Sequence, residues 1–180
     1  LAAHGSVVLL EGESLPGHHS TGRSAALYTP NFGPALVRRI NAAGRAFFET
    51  PPEGFAETPL LTPRGGLTLA RPGEEAALAD VLAHSTDRDP IYEIPLDEAA
   101  RLAPIMRPEL VGSAAYEPGV ADMDVAAIHQ GFLRGLKHRG GRLVCSAPVT
   151  ALVRAAGVWR ATTPKETFEA PIVVDAAGAW

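Results

Sequence analysis

A short apolar run ending in an acid, Val7-Val8-Leu9-Leu10-Glu11, limits the architectures open to this chain more than any other stretch. It is followed by a bend of small and polar residues, Pro16-Gly17-His18-His19-Ser20-Thr21-Gly22-Arg23-Ser24-Ala25-Ala26. A run rich in β-branched residues, with no polar interruption, reads as a fully buried parallel strand. Glu11 then stands at the carboxyl end of that strand, where open α/β sheets bind ligands, and a carboxylate there can accept both hydroxyl protons of a ribose. Gly17 and Gly22 let the backbone bend, Ser20, Thr21 and Ser24 supply hydroxyls, Arg23 a cation, and Ala25-Ala26 no bulk. Such a loop can lie against a pyrophosphate or a flat ring. Strand-then-acid is common in α/β proteins, so spacing alone leaves both dinucleotide binding and an ordinary loop open.

The 180 residues, 46% hydrophobic and 20% charged, suffice for one sizeable core or for one domain and part of another. A net charge of -4 and the lack of a Lys/Arg cluster argue against a nucleic-acid surface. No apolar run approaches the ~20 residues of a membrane-spanning helix, and no signal peptide opens the chain. The single cysteine, Cys145, reads as a small apolar residue of a strand at Arg142–Cys145, and a reducing cytoplasm is the compartment expected. No metal site is expected. His18 and His19 are adjacent, so in an extended segment they point opposite ways, and no Cys or carboxylate pattern completes a ligand set.

In chain order, Leu1 to Gly5 reads as the tail of a helix closed by a glycine. Pro34 to Phe48 carries Leu36, Val37, Ile40, Ala43 and Phe47 at helical spacing, stopped by Pro51-Pro52. Leu60 to Ala70, around Gly65-Gly66, reads as a hairpin or a bent strand pair. Helices follow at Glu74–His84 and Leu96–Leu102, and a strand at Gly112–Tyr116. Asp124 caps a helix running to about Arg139, with Ile128, Phe132, Leu133 and Leu136 inward and Gly140-Gly141 at its end. Val149–Arg154, Val158–Thr163 and Thr167–Ala170 form an antiparallel meander with a turn at Ala156-Gly157, and Ile172–Asp175 returns to the parallel sheet. The expected class is α/β, with an incomplete Rossmann-like parallel sheet at 1–40 and 120–180 and part of an inserted α+β domain at 41–119.

A ribose-binding acid lies about 20 residues beyond the first glycine of a phosphate turn. Glu11 has ten residues before it and no G-x-G-x-x-G occurs elsewhere, so the chain reads as a fragment lacking that turn. The fragment alone is expected to bind a dinucleotide poorly and to turn nothing over.

Val8-Leu9-Leu10-Glu11 with His19-Ser20-Thr21-Gly22-Arg23-Ser24-Ala25-Ala26 resembles the cofactor-binding segment of the D-amino-acid oxidase and glycine oxidase family, and within it the bacterial D-arginine dehydrogenases. The likeness runs in order through Arg45-Ala46-Phe47-Phe48, Pro59-Leu60-Leu61-Thr62-Pro63-Arg64, Ala121-Asp122-Met123-Asp124, His129–Gly135 and Val174–Trp180. It implies FAD as cofactor, with Glu11 and neighbouring Gly12 at the adenosine ribose. Ser20, Thr21, Arg23, Ser24, Ala25 and Ala26 would line the pyrophosphate and flavin edge, with Thr29 near the ring. Val149 would touch the adenine through its backbone, and Ala176, Ala177, Gly178 and Trp180 would sit by the phosphates. Relatives that attach FAD covalently use a histidine in Ser-Thr-Trp-His. Here the stretch is Ser20-Thr21-Gly22-Arg23, which implies non-covalent FAD.

The same resemblance places Leu27, Phe32, Gly33 and Gly66 around the substrate. D-arginine dehydrogenases have histidine, tyrosine and glutamate where Leu27, Phe32 and Gly66 stand, and that glutamate pairs with the substrate guanidinium. The reading is therefore an enzyme oxidising the Cα–N bond of D-amino acids with neutral or apolar side chains, giving an imino acid and then a 2-oxo acid and ammonia. Its carboxylate clamp and catalytic residues are expected beyond Trp180. Oxidation of glycine, secondary amines or 2-hydroxy acids, and a non-catalytic fragment, are the alternatives. The residues specify neither the electron acceptor nor the oligomeric state.

Overall fold

The computed structural model describes residues 2–178. Its elements are β1 (Val8–Leu10), β2 (Leu27–Tyr28), α1 (Ala35–Glu49), β3 (Leu61–Pro63), β4 (Gly66–Ala70), α2 (Glu75–Leu82), β5 (Tyr92–Ile94), α3 (Leu96–Leu102), β6 (Ser113–Glu117), β7 (Ala121–Met123), α4 (Val125–His138), β8 (Arg142–Val144), β9 (Ala151–Ala155), β10 (Val158–Thr162) and β11 (Thr167–Ala170). Two compact units result: one holds the residues up to Arg23 and those from His129 onward, the other Ser24–Ile128. The class is α/β. The sequence division at 40/41 and 119/120 falls elsewhere because β2, α1 and β7 pack within the second unit.

In the first unit β1 and β8 pair in parallel, Val8 opposite Arg142 and Leu10 opposite Val144. The strand is where the sequence puts it, but it is not fully buried: Val8 and Leu9 are 44% and 41% exposed. A two-stranded sheet leaves much of its two faces uncovered. The meander forms as expected, with β10 between β9 and β11. Ala156 and Gly157 both adopt positive φ (47° and 83°), the conformation of a type I′ hairpin turn. Ile172–Asp175, expected as a strand, carries no ladder and is exposed. Apolar patterning marks a segment that can be a strand, but a strand also needs a partner backbone. Ala2–Gly5 forms turns rather than a helix end, and Leu1 lies outside the described residues.

In the second unit β6 is the middle strand of β4-β6-β5. Its Ala114 and Ala115 are 0% and 1% exposed. Ala115 joins Ala70, Leu78 and Ile91 in one apolar cluster, with Val81 and Leu82 against it. Each fully buried leucine of this kind contributes roughly 1.5–3 kcal/mol. β7 is the middle strand of β2-β7-β3. Leu60–Ala70 is thus a bent strand pair and not a hairpin: β3 and β4 join different sheets at the bend of Gly65, φ +78°. Helix α1 forms on schedule and ends before Pro51-Pro52, yet buries none of its residues fully. Its Phe47 packs edge-on to Phe55 (centroids 4.9 Å apart).

Helix α4 is capped as predicted, Ala127 N–H donating to Asp124 Oδ1 at 2.8 Å. At its other end Gly140 N–H reaches Lys137 O and Gly141 N–H reaches Leu136 O, both at 2.9 Å, with Gly140 at φ +74°. This is a Schellman closure, which needs a residue free to take positive φ. Leu133 is buried, but Phe132, expected inward, is 59% exposed.

Candidate functional site

The first unit places Glu11 immediately after β1, its N–H bonded to Val144 O (2.9 Å) and its C=O accepting from Ala147 N–H (2.9 Å). The backbone is pinned to the strand end on both sides. Glu13 N–H donates to Glu11 Oε1 at 3.0 Å, which orients the carboxylate. Gly12 lies open: a Cβ there would come no nearer than 3.9 Å, to Pro148 Cα. Glu11, Gly12 and the segment leading into Val149 are therefore neighbours, and Val149 itself is 48% exposed.

The bend that follows is closed by Gly22 N–H to Gly17 O (2.7 Å) and Arg23 N–H to His19 O (3.1 Å). A Cβ on Gly22 would stand 2.5 Å from Gly17 O, so only glycine permits this closure. It leaves Ser20 and Arg23 exposed and Thr21 half-buried. His19 Nε2 lies 2.9 Å from Glu13 Oε1, and Arg23 Nη2 lies 3.4 Å from His18 Nε2. The two imidazoles stand at 89° to one another. Among the described residues no group of three or more His, Cys, Asp or Glu converges on a metal position. Ala176, Ala177 and Gly178 are exposed, with Ala177 N–H on Asp175 Oδ1 (3.1 Å), and Trp180 lies outside the described residues.

An oriented carboxylate at a strand tip, an open glycine beside it and a tight bend presenting two hydroxyls and a guanidinium make a donor set that fits a dinucleotide. Glu11 suits ribose hydroxyls, and Ser20, Thr21 and Arg23 suit phosphate oxygens.

In the second unit Ser24 and Ala25 are exposed, and Ala26 O accepts from Met123 N–H at 3.1 Å. Leu27 pairs with Asp122 across β2–β7 and is 44% exposed; Tyr28 alternates to the other face and is 5% exposed. Burial pushes the Tyr28 phenol above its usual range. Thr29 O accepts from Asn41 Nδ2 (3.2 Å) and from Phe32 N–H (3.3 Å). Phe32 is 69% exposed, and Gly33 has φ +79°. Gly66 opens β4 opposite Glu117. A Cβ on Gly66 would meet Val120 Cγ2 at 2.9 Å, so Val120 occupies the space a side chain would need. A cavity of about 300 Å³ in this unit is lined by Tyr28, Arg45, Phe48, Leu60 and Val120 among others, and by none of Leu27, Phe32, Gly33 or Gly66.

Two residues that sequence reasoning missed stand next to these. Glu117 is buried, and its Oε1 accepts from Asn31 N–H (3.2 Å) and Asn31 Nδ2 (2.9 Å). Desolvation pushes its carboxyl above the usual range, against the pull of the Asn31 bonds. Arg45 gives it no counterion, since that guanidinium pairs with Glu49 and Asp89. The acid and turn signal Glu117-Pro118-Gly119 was visible in the chain, but nothing marked the acid as buried. Arg64 is engaged by Asp122 at 3.1 Å.

The sequence model described as "FAD dependent oxidoreductase" (DAO) matches residues 1–180. The chain is 27% identical over 181 residues to the mitochondrial dimethylglycine dehydrogenase of Rattus norvegicus, covering 97% of this chain and 20% of that one. It is 30% identical over 98 residues to the Homo sapiens enzyme, covering 54% of this chain and 11% of that one. Among solved structures, glycine oxidase from Geobacillus kaustophilus superposes with a TM-score of 0.83 at 19% identity, over 99% of this chain and 50% of that one. L-proline dehydrogenase from P. horikoshii gives 0.76 at 18%, over 97% and 53%. The chain thus spans about half the length of these structures and a fifth or less of these two sequence relatives.

Proposed function

Because the chain belongs to the DAO family of FAD-dependent oxidoreductases, we propose that the intact protein oxidises the Cα–N bond of a D-amino acid with a neutral or apolar side chain. The product is an imino acid, which water hydrolyses to a 2-oxo acid and ammonia. The flavin, when bound, supplies the electron sink for this two-electron oxidation.

This chain's residues then hold and orient. Glu11 accepts the ribose hydroxyls, its carboxylate set by Glu13 N–H. Ser20, Thr21 and Arg23 donate to the pyrophosphate, and Gly22 keeps the bend tight enough to present them. Ser24, Ala25, Ala26 and Thr29 line the flavin side, and Leu27, Phe32, Gly33 and Gly66 the substrate side. Val149 meets the adenine, with Ala176–Gly178 by the phosphates. Attachment is non-covalent, since Arg23 stands where relatives carry the linking histidine.

The observation that carries the substrate class is Val120 against Gly66. The position where D-arginine dehydrogenases hold their glutamate offers neither an acid nor room for one. The acid across the ladder, Glu117, already accepts both Asn31 donors. A substrate guanidinium would meet no acid at position 66 itself, and desolvating such a cation unpaired costs several kcal/mol. A second reading, oxidation of N-methylated glycines, is favoured by the likeness to dimethylglycine dehydrogenases.

Anaerobic mixing of the intact flavoprotein with D-leucine, D-phenylalanine, D-arginine, glycine and dimethylglycine separates these readings. Bleaching of the flavin absorbance fastest by D-leucine or D-phenylalanine supports the first, and fastest by dimethylglycine the second. Fastest bleaching by D-arginine removes the neutral-substrate reading.

A further inference from the structure

We infer that Glu117 is a positioning residue, which through Asn31 latches the segment Pro30–Gly33, carrying the substrate-side Phe32 and Gly33, to the turn between β6 and β7. The inference rests on the reading of that segment as substrate-facing. The latch is specific in its bonds. One carboxylate oxygen, Glu117 Oε1, takes both the main-chain N–H of Asn31 (3.2 Å) and its side-chain Nδ2 (2.9 Å). Asn31 Nδ2 also donates to Asp89 O at 3.1 Å, so this side chain bridges two partners distant in sequence.

The turn that follows Glu117 is fitted to the same segment. A Cβ on Gly119 would stand 3.3 Å from Pro30 Cγ and 3.4 Å from Asp89 Oδ1, so the turn backbone packs closely on both. One residue on, Val120 fills the space beside Gly66, and its carbonyl accepts from Arg64 N–H (3.2 Å) and Gly65 N–H (2.9 Å). Glu117, Gly119 and Val120 therefore contact two segments that carry substrate-side residues, 30–33 and 64–66. Phe32, next to Asn31, is 69% exposed and has little packing of its own to fix it.

The charged groups around Glu117 do not offer it another task. Arg45 is taken by Glu49 and Asp89, and Asp89 repels rather than pairs.

The test uses the intact flavoprotein and its variants Asn31→Ala, Asn31→Asp and Glu117→Gln, followed by anaerobic stopped-flow reduction with the best amine substrate. Asn31→Ala and the isosteric Asn31→Asp are expected to raise the substrate Kd about tenfold, the scale of one lost hydrogen bond to a charged group. The limiting reduction rate and the flavin content stay near native. Glu117→Gln, which keeps the acceptor oxygen, is expected to stay within about threefold of native in Kd. A merely structural role would lower the melting temperature and leave Kd untouched. Folded, flavin-loaded Asn31→Asp with native Kd overturns this inference alone. A native flavin that no amino acid or amine reduces overturns the functional reading, and the substrate role of the segment with it.

Discussion

Val120 Cγ2 occupies the place where a side chain on Gly66 would begin, 2.9 Å from the point at which that Cβ would stand. Val120 is buried (4%) and β-branched, so it has few ways to withdraw. Gly66→Glu alone is expected to destabilise the fold by about 1–3 kcal/mol, the usual cost of overpacking. Gly66→Glu with Val120→Ala makes room for the acid. The double variant is expected to raise kcat/KM for D-arginine relative to D-leucine at least tenfold. Steady-state kinetics on both substrates check it, and an unchanged ratio counts against the assignment of Gly66 to the pocket.

Gly22 closes the bend that presents Ser20, Thr21 and Arg23, and a Cβ there would meet backbone rather than a movable side chain. Gly22→Ala is expected to weaken FAD binding about tenfold or more, a loss of roughly one good contact to phosphate. Gly22 lies in the first unit, so the unfolding transition of the second is expected to move little. Fluorescence titration of the apoprotein with FAD measures the first, and calorimetry the second.

The flavin is expected to leave with acid. Denaturing the holoprotein in trichloroacetic acid should put the yellow colour in the supernatant, because Arg23 cannot form the imidazole bond. His19 is engaged with Glu13 and His18 with Arg23. A yellow pellet, with a flavin peptide containing His18 or His19, contradicts non-covalent attachment.

Glu117 makes a pH prediction whose sign differs from that of a salt-bridged acid. Burial raises its folded pKa, so the folded state holds the proton more tightly than the unfolded one. Its contribution is most favourable below the ordinary glutamate pKa and is lost as pH rises through the raised value. Glu117→Gln is therefore expected to flatten the fall of stability as pH rises from the ordinary glutamate range, about pH 4, toward neutrality. Thermal melts across that range, compared with the native protein, read it directly.

The cap of α4 is the simplest local test. Asp124 Oδ1 takes Ala127 N–H at 2.8 Å, and Asp124→Ala is expected to cost about 1 kcal/mol. Urea denaturation measures it.

What the sequence determined by itself was local. Asp124 before an amphipathic run and Gly140-Gly141 after it place α4, and Ala156-Gly157 between two alternating runs places the β9–β10 turn, because caps and turns involve residues a few positions apart. Glu11 at a strand end, with the glycine-closed bend behind it, was equally legible. Tertiary structure decided whatever needed a distant partner. Ile172–Asp175 has strand composition and no ladder, β3 and β4 part into separate sheets, and Phe132 lies outward on a helix whose period is plain in the chain. Glu117 and Asn31 meet across 86 residues of chain, and only that meeting turns an ordinary acid before a Pro-Gly turn into a buried anchor. Hydrogen bonding and burial depend on which backbone arrives beside a residue, and periodicity carries no record of that.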